Sequence, residues 1–494
     1  MQRKFLKNLA LLLVLNLLIK PFWIFGIDRT VQNTVGAEEY GFYFAVFNFS
    51  FLFSILLDFG ITTFNNKNIA QNNQLLQKHL SNIIVLKLLL FLGYLIFTFL
   101  AAFVIKYSRE QMYLLFFLGL NQFLVSFILY LRSNLGGLHL FKTDSIISVL
   151  DRSLMIFICA VLLWGNIIPV FKIEYFVYAQ TASFSITALI TMVVVFRKAE
   201  TRFLKLNWSF PFFLMMLRQS LPFALLVLLM TFYNRIDSVM LERLLEDGAR
   251  YSGIYASAYR LLDAANMIAY LFAVLLLPIF ARMIKQKESI EELVKLSYTL
   301  LIVPAVIIAI ASFFYSEEFM RLLYHIHEGE SVAEFDYRIM HSSQVFGLLM
   351  TCFCAISTMY IFSTLLTANG NLKYLNFIAL SGMLINIGLN FLLIPVFQAY
   401  GSAIATLVTQ FMIAAIQVWV VSRLFRFNYN YILVLKILVF IISVILLGFL
   451  TKQLNLQWEL SFVIMVTASG LLSFIIRLVS PRHLFKILKY GETS

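Results

Sequence analysis

The sequence predicts an all-α integral membrane protein of about 14 transmembrane helices. They are expected as two six-helix lobes related by pseudo-two-fold symmetry, with two further helices appended at the C-terminus. Three observations carry this. Charged residues are only 13% of the chain and hydrophobic ones 61%, whereas soluble domains carry about 25% charge. Apolar runs of the roughly 20 residues a membrane helix needs recur from end to end. The first helical hairpin and the fifth helix are echoed in the second half of the chain.

Spans are expected near 8–33, 40–64, 80–104, 112–134, 144–165, 172–196 and 213–241, then 250–281, 292–314, 338–367, 371–396, 401–423, 431–451 and 458–478. The first follows Arg3, Lys4 and Lys7 as a signal peptide would. It runs on through Pro21 to about Val35, however, longer than a secretory apolar region of roughly 7–15 residues, and no small-residue cleavage site follows. A retained helix is expected. Pro21, Pro222, Pro278 and Pro304 fall inside spans, where neighbouring helices can satisfy the freed carbonyls. Residues 1–200 are expected as the N-lobe (helices 1–6), 201–425 as the C-lobe (helices 7–12), and 426–494 as helices 13–14 with a tail.

The net charge of +13 is read as a topology signal and not as a nucleic-acid surface. With the N-terminus inside and the spans alternating, most of the 38 Lys and Arg residues fall in the inner segments. The largest groups are Arg197, Lys198, Arg202, Lys205 and Arg218, and Arg282, Lys285, Lys287 and Lys295. That bias sets orientation, with both termini expected in the cytoplasm. The longest outer loop, about 315–337, is acidic and expected to be solvated. His325, His327 and Glu328 lie in it without a second cluster to complete a metal site. Cys159, Cys352 and Cys354 sit in apolar spans as packing residues. No disulfide framework, metal site or cofactor motif is predicted.

The repeat is legible in short segments. Gly36-Ala-Glu-Glu-Tyr-Gly-Phe-Tyr43 parallels Gly248-Ala-Arg-Tyr-Ser-Gly-Ile-Tyr255, and Asp28-Arg29 lies about where Arg235-Ile-Asp237 lies. Gly137-Leu-His-Leu-Phe-Lys142 with Ile168-Pro169 parallels Gly370-Asn-Leu-Lys373 with Ile394-Pro395. Six helices per half keep the two halves in the same topology, which puts a pseudo-two-fold axis along the membrane normal and a site between the halves.

Over nearly its whole length the chain resembles the polysaccharide or oligosaccharide flippases of the multidrug/oligosaccharidyl-lipid/polysaccharide exporter superfamily. The carrying segments are Thr34–Tyr43 with Leu57-Asp58-Phe59-Gly60, then Leu221-Pro222, Tyr233-Asn-Arg-Ile-Asp237, Tyr251–Tyr255 and Ala258-Tyr-Arg-Leu261. Asn386-Ile-Gly-Leu-Asn390 with Tyr400–Thr406 completes them. The resemblance implies a V-shaped pair of lobes, alternating access, and a polyprenyl-diphosphate-linked glycan moved from the cytoplasmic to the outer leaflet. It points to surface polysaccharide biosynthesis, as for O-antigen and lipopolysaccharide. Membrane lipids, Na⁺ or H⁺, and glycan-assembly proteins are the other partners it suggests.

For an anionic lipid diphosphate the lobes need fixed positive charge in a solvated cavity. A charge at membrane depth costs about 2.5–3.5 kcal/mol on insertion scales and so faces protein or water. Lys20, Arg152, Arg235 and Arg260 are the candidate substrate-binding residues, ordered from the inner to the outer side, and arginine's planar fork suits phosphate. The three arginines also have a structural reading, because Asp151 neighbours Arg152, Asp237 can pair with Arg235 or with Arg260, and Asp263 lies three residues from Arg260. Asp28, Asp237 and Asp263 are candidate ion-coupling carboxylates. Lys87 is read as snorkelling to the interface, and Asp58 as capping or pairing at the end of helix 2. Tyr233, Tyr255 and Tyr259 are nominated for sugar stacking; the bulk of the 51 Phe residues is lipid-facing surface.

No catalytic constellation is visible, so an enzyme is not expected. Other readings remain: a peptidoglycan-precursor flippase, a cation-coupled multidrug exporter of the same superfamily, or a membrane glycan polymerase or ligase. The last should carry a large outer loop with paired Arg or His, unlike the short acidic one here.

Overall fold

The computed structural model describes residues 15–16, 18–19, 21–72, 74–165, 167–199, 210–327, 329–427, 430–454 and 456–479. Helices account for nearly all of these residues, and none of them lies in a strand. A π-helical turn, Trp23–Asp28, leads into α1 (Arg29–Leu52), and a 3₁₀ turn, Ser54–Leu57, separates α1 from α2 (Ile61–Gln71). Then follow α3 (Leu75–Val104), α4 (Arg109–Gly137), α5 (Phe141–Trp164), α6 (Ile173–Ala199), α7 (Phe210–Leu244) and α8 (Gly248–Gln286). The rest of the chain forms α9 (Glu291–Phe314), α10 (Ser316–Leu323), α11 (Val332–Ala368), α12 (Leu372–Phe425), α13 (Tyr431–Lys452) and α14 (Trp458–Ile475).

Among the described residues, eleven helices are long and apolar enough to cross a bilayer, namely α3 to α9 and α11 to α14. One of them, α12, has 54 residues, roughly 80 Å at 1.5 Å per residue, against a hydrocarbon core of about 30 Å. It bends at Gln398, where φ is 53° and ψ −132°, into the two spans the sequence separates around 396–401. Likewise α1 is interrupted at Gly36 (φ 82°, ψ 170°), at the junction of the first two expected helices. The second of these is not one continuous span to residue 64. It ends at Leu52, tightens into the 3₁₀ turn, and restarts at Ile61 after Phe59 and Gly60, both at positive φ.

Local chemistry sets several boundaries. Ser108 and Gln111 form a reciprocal capping box at the start of α4, as do Ser331 and Glu334 at α11. The Asn430 side chain accepts from the Leu433 N–H at the start of α13. From the second turn of α11, Arg338 reaches into the preceding loop and donates to Glu330 at 2.7 and 2.8 Å and to the His325 carbonyl at 2.9 Å. Burial opposes the charged form of Glu330, but Arg338 and the His327 N–H overcome it and hold this carboxyl below its usual range. Glu330 is therefore tied into the protein instead of solvated with its acidic neighbours; Glu328 lies outside the described residues.

By its contacts the chain divides into two compact units, residues 1–253 and 254–494, so that α8 starts in one and runs on in the other. In the first, α4 is the central helix, packed on α6, α2, α1 and α5, while α1 also packs on α7. In the second, α11 lies against α9 and α12, and the appended pair α13–α14 is joined to α9. Ile302, Val306 and Tyr315 of that region pack with Phe440, Val444 and Met465. Leu92, Ile96 and Phe103 on α3, Leu392 and Val396 on α12, and Ile432 and Leu435 on α13 are exposed. Apolar faces of this kind are compatible with hydrocarbon as the surrounding solvent.

Candidate functional site

The first unit carries a continuous polar and aromatic wall. Asp28, 1% exposed, accepts hydrogen bonds from the Tyr40 hydroxyl at 3.0 Å and from Gln32 Nε2 at 3.1 Å. Gln32 is one helical turn on, but Tyr40 comes from beyond the Gly36 break, which folds the second part of α1 back to reach it. The Tyr40 ring meets Tyr43 edge-on at 5.5 Å, and Tyr43 meets Phe176 of α6 at 5.4 Å. Phe176 stacks on Trp23 at 5.7 Å, and the Arg152 guanidinium lies 5.4 Å from the Trp23 ring and 5.8 Å from Phe184. Gln180 Nε2 donates to the Tyr43 hydroxyl at 2.9 Å. Thus two sequence-predicted residues, Asp28 and Arg152, are linked through Trp23, Phe176, Tyr43 and Tyr40, none of which the sequence singled out. The spacing of Tyr40 and Tyr43 within the repeat was the available signal.

Arg152 itself is a third exposed, 3.9 Å from the Asp151 carboxylate. That separation is at the limit of an ion pair, and aromatic faces on its other side favour the cation without neutralising it. Lys20 lies outside the described residues.

On α7, Arg235 is half-buried, 5.5 Å from the Phe51 ring of α1. Two residues on, Asp237 is 1% exposed, and its neighbour Ser238 accepts from Asn48 Nδ2 at 2.7 Å. Close by in sequence, α1 and the first turns of α8 approach backbone to backbone. A methyl group on Gly41 would sit 1.9 Å from the Ala249 carbonyl, and one on Gly253 would sit 1.8 Å from the Ala37 carbonyl. Only glycine permits this. The contact is reciprocal in the repeat's own numbering. Ala37 and Ala249 follow Gly36 and Gly248, while Gly41 and Gly253 come four residues later, so each repeat offers the same carbonyl to the other's glycine. A self-complementary contact of this form is the local mark of two-fold symmetry. Polar clasps flank it: Glu39 accepts the Ile173 N–H at 2.7 Å, and Gln111 donates to Glu242 at 2.7 Å. Arg243 adds a bond to the Ile105 carbonyl at 3.2 Å.

In the second unit Arg260 and Asp263 are both half-buried on α8. Tyr255 and Tyr259 stack on each other at 5.6 Å, with Tyr255 3.4 Å from the Thr406 hydroxyl. At 1% and 6% exposure, and 2% for Tyr233 in the first unit, these rings are packing surfaces without an open face for a sugar. The Asn386 and Thr406 motifs meet in a buried neutral cluster: Asn390 donates to Asn386 at 3.2 Å and Ser402 to Asn390 at 2.8 Å. Asn386 Nδ2 and Thr409 Oγ1 in this region are buried without a hydrogen-bond partner. The i,i+4 spacing of Asn386 with Asn390 and of Ser402 with Thr406 was the signal for it.

Lys87 does not snorkel. Its side chain is fully buried, pairs with Asp58, and donates to the Leu57 carbonyl and the Ser126 hydroxyl, each at 2.9 Å. Asp58 also accepts the Thr62 hydroxyl at 2.5 Å and the Thr62 N–H at 3.3 Å, the capping and pairing role expected of it. The break between α1 and α2 frees carbonyls at depth, and an ammonium with three donors satisfies them better than the distant interface could.

Residues 5–284 match the family described as polysaccharide biosynthesis protein, more than half of the chain. The chain belongs to that family. The match takes in the whole aromatic wall, the reciprocal glycine contact, and all six of the described candidates, from Asp28 to Asp263. Among solved structures, the family member is similar to "Lipid II flippase MurJ, inward closed conformation". The TM-score is 0.74 and the identity 14%, over 96% of this chain and 100% of the other. It is also similar to an inward-facing multidrug resistance MATE family transporter of the MOP superfamily, at TM-score 0.63 and 14% identity, covering 82% and 94% of the two chains. A MOP superfamily transporter from Pyrococcus furiosus, described as having a reversed-polarity binding pocket, gives 0.55 and 16% over 85% and 93%. No curated protein sequence matches. At these identities the solved structures establish the fold, which is that of the MOP exporters, as the sequence motifs imply.

Proposed function

We propose that this protein is a flippase that carries a polyprenyl-diphosphate-linked glycan from the inner to the outer leaflet of a bacterial inner membrane by alternating access. The observation that supports it most is the conjunction of a polysaccharide-biosynthesis family match with the reciprocal Gly41–Gly253 contact. A contact of bare backbones holds no interdigitated side chains and can open and close at modest cost. In this reading helices 1–6 (residues 1–200) and 7–12 (201–425) are the rocking lobes, residues 426–494 are an appendage, and both termini are cytoplasmic. Lys20, Arg152, Arg235 and Arg260 bind the diphosphate, while Asp28, Asp237 and Asp263 couple the cycle to Na⁺ or H⁺. Arg152 is the best-placed of the basic residues, being a third exposed beside aromatic rings that suit a glycan or an isoprenoid. The chemistry asked of these side chains is recognition and release, with no bond made or broken.

Likeness over the full length of a structure described as a lipid II flippase favours a second reading, in which the cargo is a peptidoglycan precursor. Both cargoes share the diphosphate and differ in the sugar. One experiment tests the common core. In proteoliposomes with a fluorescent lipid-diphosphate glycan, Arg235→Ala/Arg260→Ala should lower the translocation rate at least 100-fold while the protein still inserts and purifies. A normal rate in the double variant would sink the phosphate-binding role. Running both cargoes in parallel decides between the two readings.

A further inference from the structure

In the second unit a pocket of about 300 Å³ opens where α9 and α13 begin and α14 ends. Three cations line it: Lys295 of α9, Lys436 of α13, and Arg477 just beyond α14. One acid, Glu292, faces them from α9, and Lys295 is bound to Glu291 at 2.6 Å. Among the described residues, neither Lys436 nor Arg477 takes part in an ion pair. None of the residues assigned to transport lines this pocket, and the translocation cycle gives it no role.

Its position limits what it can hold. Three membrane-spanning helices end or begin around it, so it lies at the boundary between hydrocarbon and water. The faces that line it also run on into the membrane. On α9, Lys295 and Thr299 are followed at helical spacing by Ile302 and Val306, and on α13, Leu433 is followed by Ile437, Ile441 and Ile445. Those isoleucines and Val306 line a second, apolar hollow of about 820 Å³. A basic mouth at the interface, with an apolar hollow further along the same two helices, matches a phosphate head on an acyl chain and suits a soluble phosphate poorly.

We infer that this pocket is a binding site for the phosphate head of an anionic phospholipid of the surrounding leaflet, held by Lys436 and Arg477 with Lys295 behind them. The occupant is a resident lipid and not the cargo. It ties the appended helices to α9, because its contacts come from both sides of that junction. Each basic side chain at a membrane surface contributes roughly a fivefold gain in anionic-lipid affinity, so losing two should weaken binding by more than tenfold.

The full chain in nanodiscs tests this through bound lipid and thermal stability, neither of which depends on the flippase reading. Nanodiscs of phosphatidylcholine with increasing phosphatidylglycerol should retain phosphatidylglycerol on the wild-type protein and raise its Tm. Lys436→Ala/Arg477→Ala should need more than ten times as much phosphatidylglycerol for the same effect, while matching the wild type in pure phosphatidylcholine. Lys436→Arg should behave as wild type, which separates lost charge from lost folding. Equal phosphatidylglycerol dependence in wild type and double variant would overturn the site. Saturation of the effect by glycerol 3-phosphate without anionic lipid would overturn the lipid assignment in favour of a soluble phosphate.

Discussion

Lys87 shows how far one side chain's surroundings can invert its meaning. On an isolated helix a lysine two turns from the interface reaches out to water. Here the 3₁₀ turn at Ser54–Leu57 brings a free carbonyl and the Asp58 carboxylate within reach, and the ammonium stays inside. Removing one partner of a buried pair leaves the other uncompensated and costs about 3–5 kcal/mol. Asp58 keeps a quarter of its side-chain surface exposed, so Lys87→Met is expected near the low end, about 3 kcal/mol. Thermal unfolding in detergent should show a clear drop in Tm for Lys87→Met and recovery of most of it on adding Asp58→Asn. A lysine that merely snorkelled would leave Tm unchanged in both.

At the level of elements, the decisive contact is α1 against the start of α8. A valine at Gly253 would place its Cβ against the Ala37 carbonyl at 1.8 Å, which backbone atoms cannot relieve by a rotamer change. Overpacking of this kind costs about 1–3 kcal/mol. If that strain is released by parting the two helices, a two-state equilibrium shifts by up to about two orders of magnitude. Gly253→Val should therefore increase the labelling of a cysteine at Ala37 by a membrane-impermeant maleimide, with the protein still folded. Unchanged labelling would mean that the contact is fixed packing and no gate. The Gly36 break also shapes this element, since it turns the second part of α1 so that Tyr40 reaches Asp28 and Gly41 reaches Ala249.

For the molecule as a whole, the proposed alternating access requires that the Gly36 and Gly248 ends of the repeats part and rejoin. Ala37 and Ala249 stand beside those glycines. With Cys159, Cys352 and Cys354 replaced, cysteines at these two positions joined by a short bifunctional thiol reagent should stop transport. Crosslinking yield should fall when the lipid-linked cargo or a coupled ion favours the parted state, because only differential affinity shifts such an equilibrium. A yield that follows pH identifies H⁺ as the coupled ion, and one that follows Na⁺ identifies sodium. Transport that continued in the crosslinked protein would rule this movement out of the cycle.

Hydropathy determined the all-helical membrane class, because a bilayer imposes a length and a polarity on every helix that crosses it, and short motifs carried the family. The same sequence carried Asp28, Arg152 and Arg235 as charges at depth, since any such charge stands out against an apolar run. What it could not carry was partnership. Tyr40 with Asp28, Trp23 with Arg152, Lys87 with Leu57, and Gly41 with Ala249 are each brought together by a helix break or a crossing. The residues that decide them are remote from one another in the chain. Breaks and crossings depend on packing across many helices, and hydrocarbon makes nearly every apolar side chain look alike in sequence. Tertiary structure alone therefore separated the buried lysine from a snorkelling one, the packed tyrosines from sugar platforms, and the paired cations from those left facing a pocket.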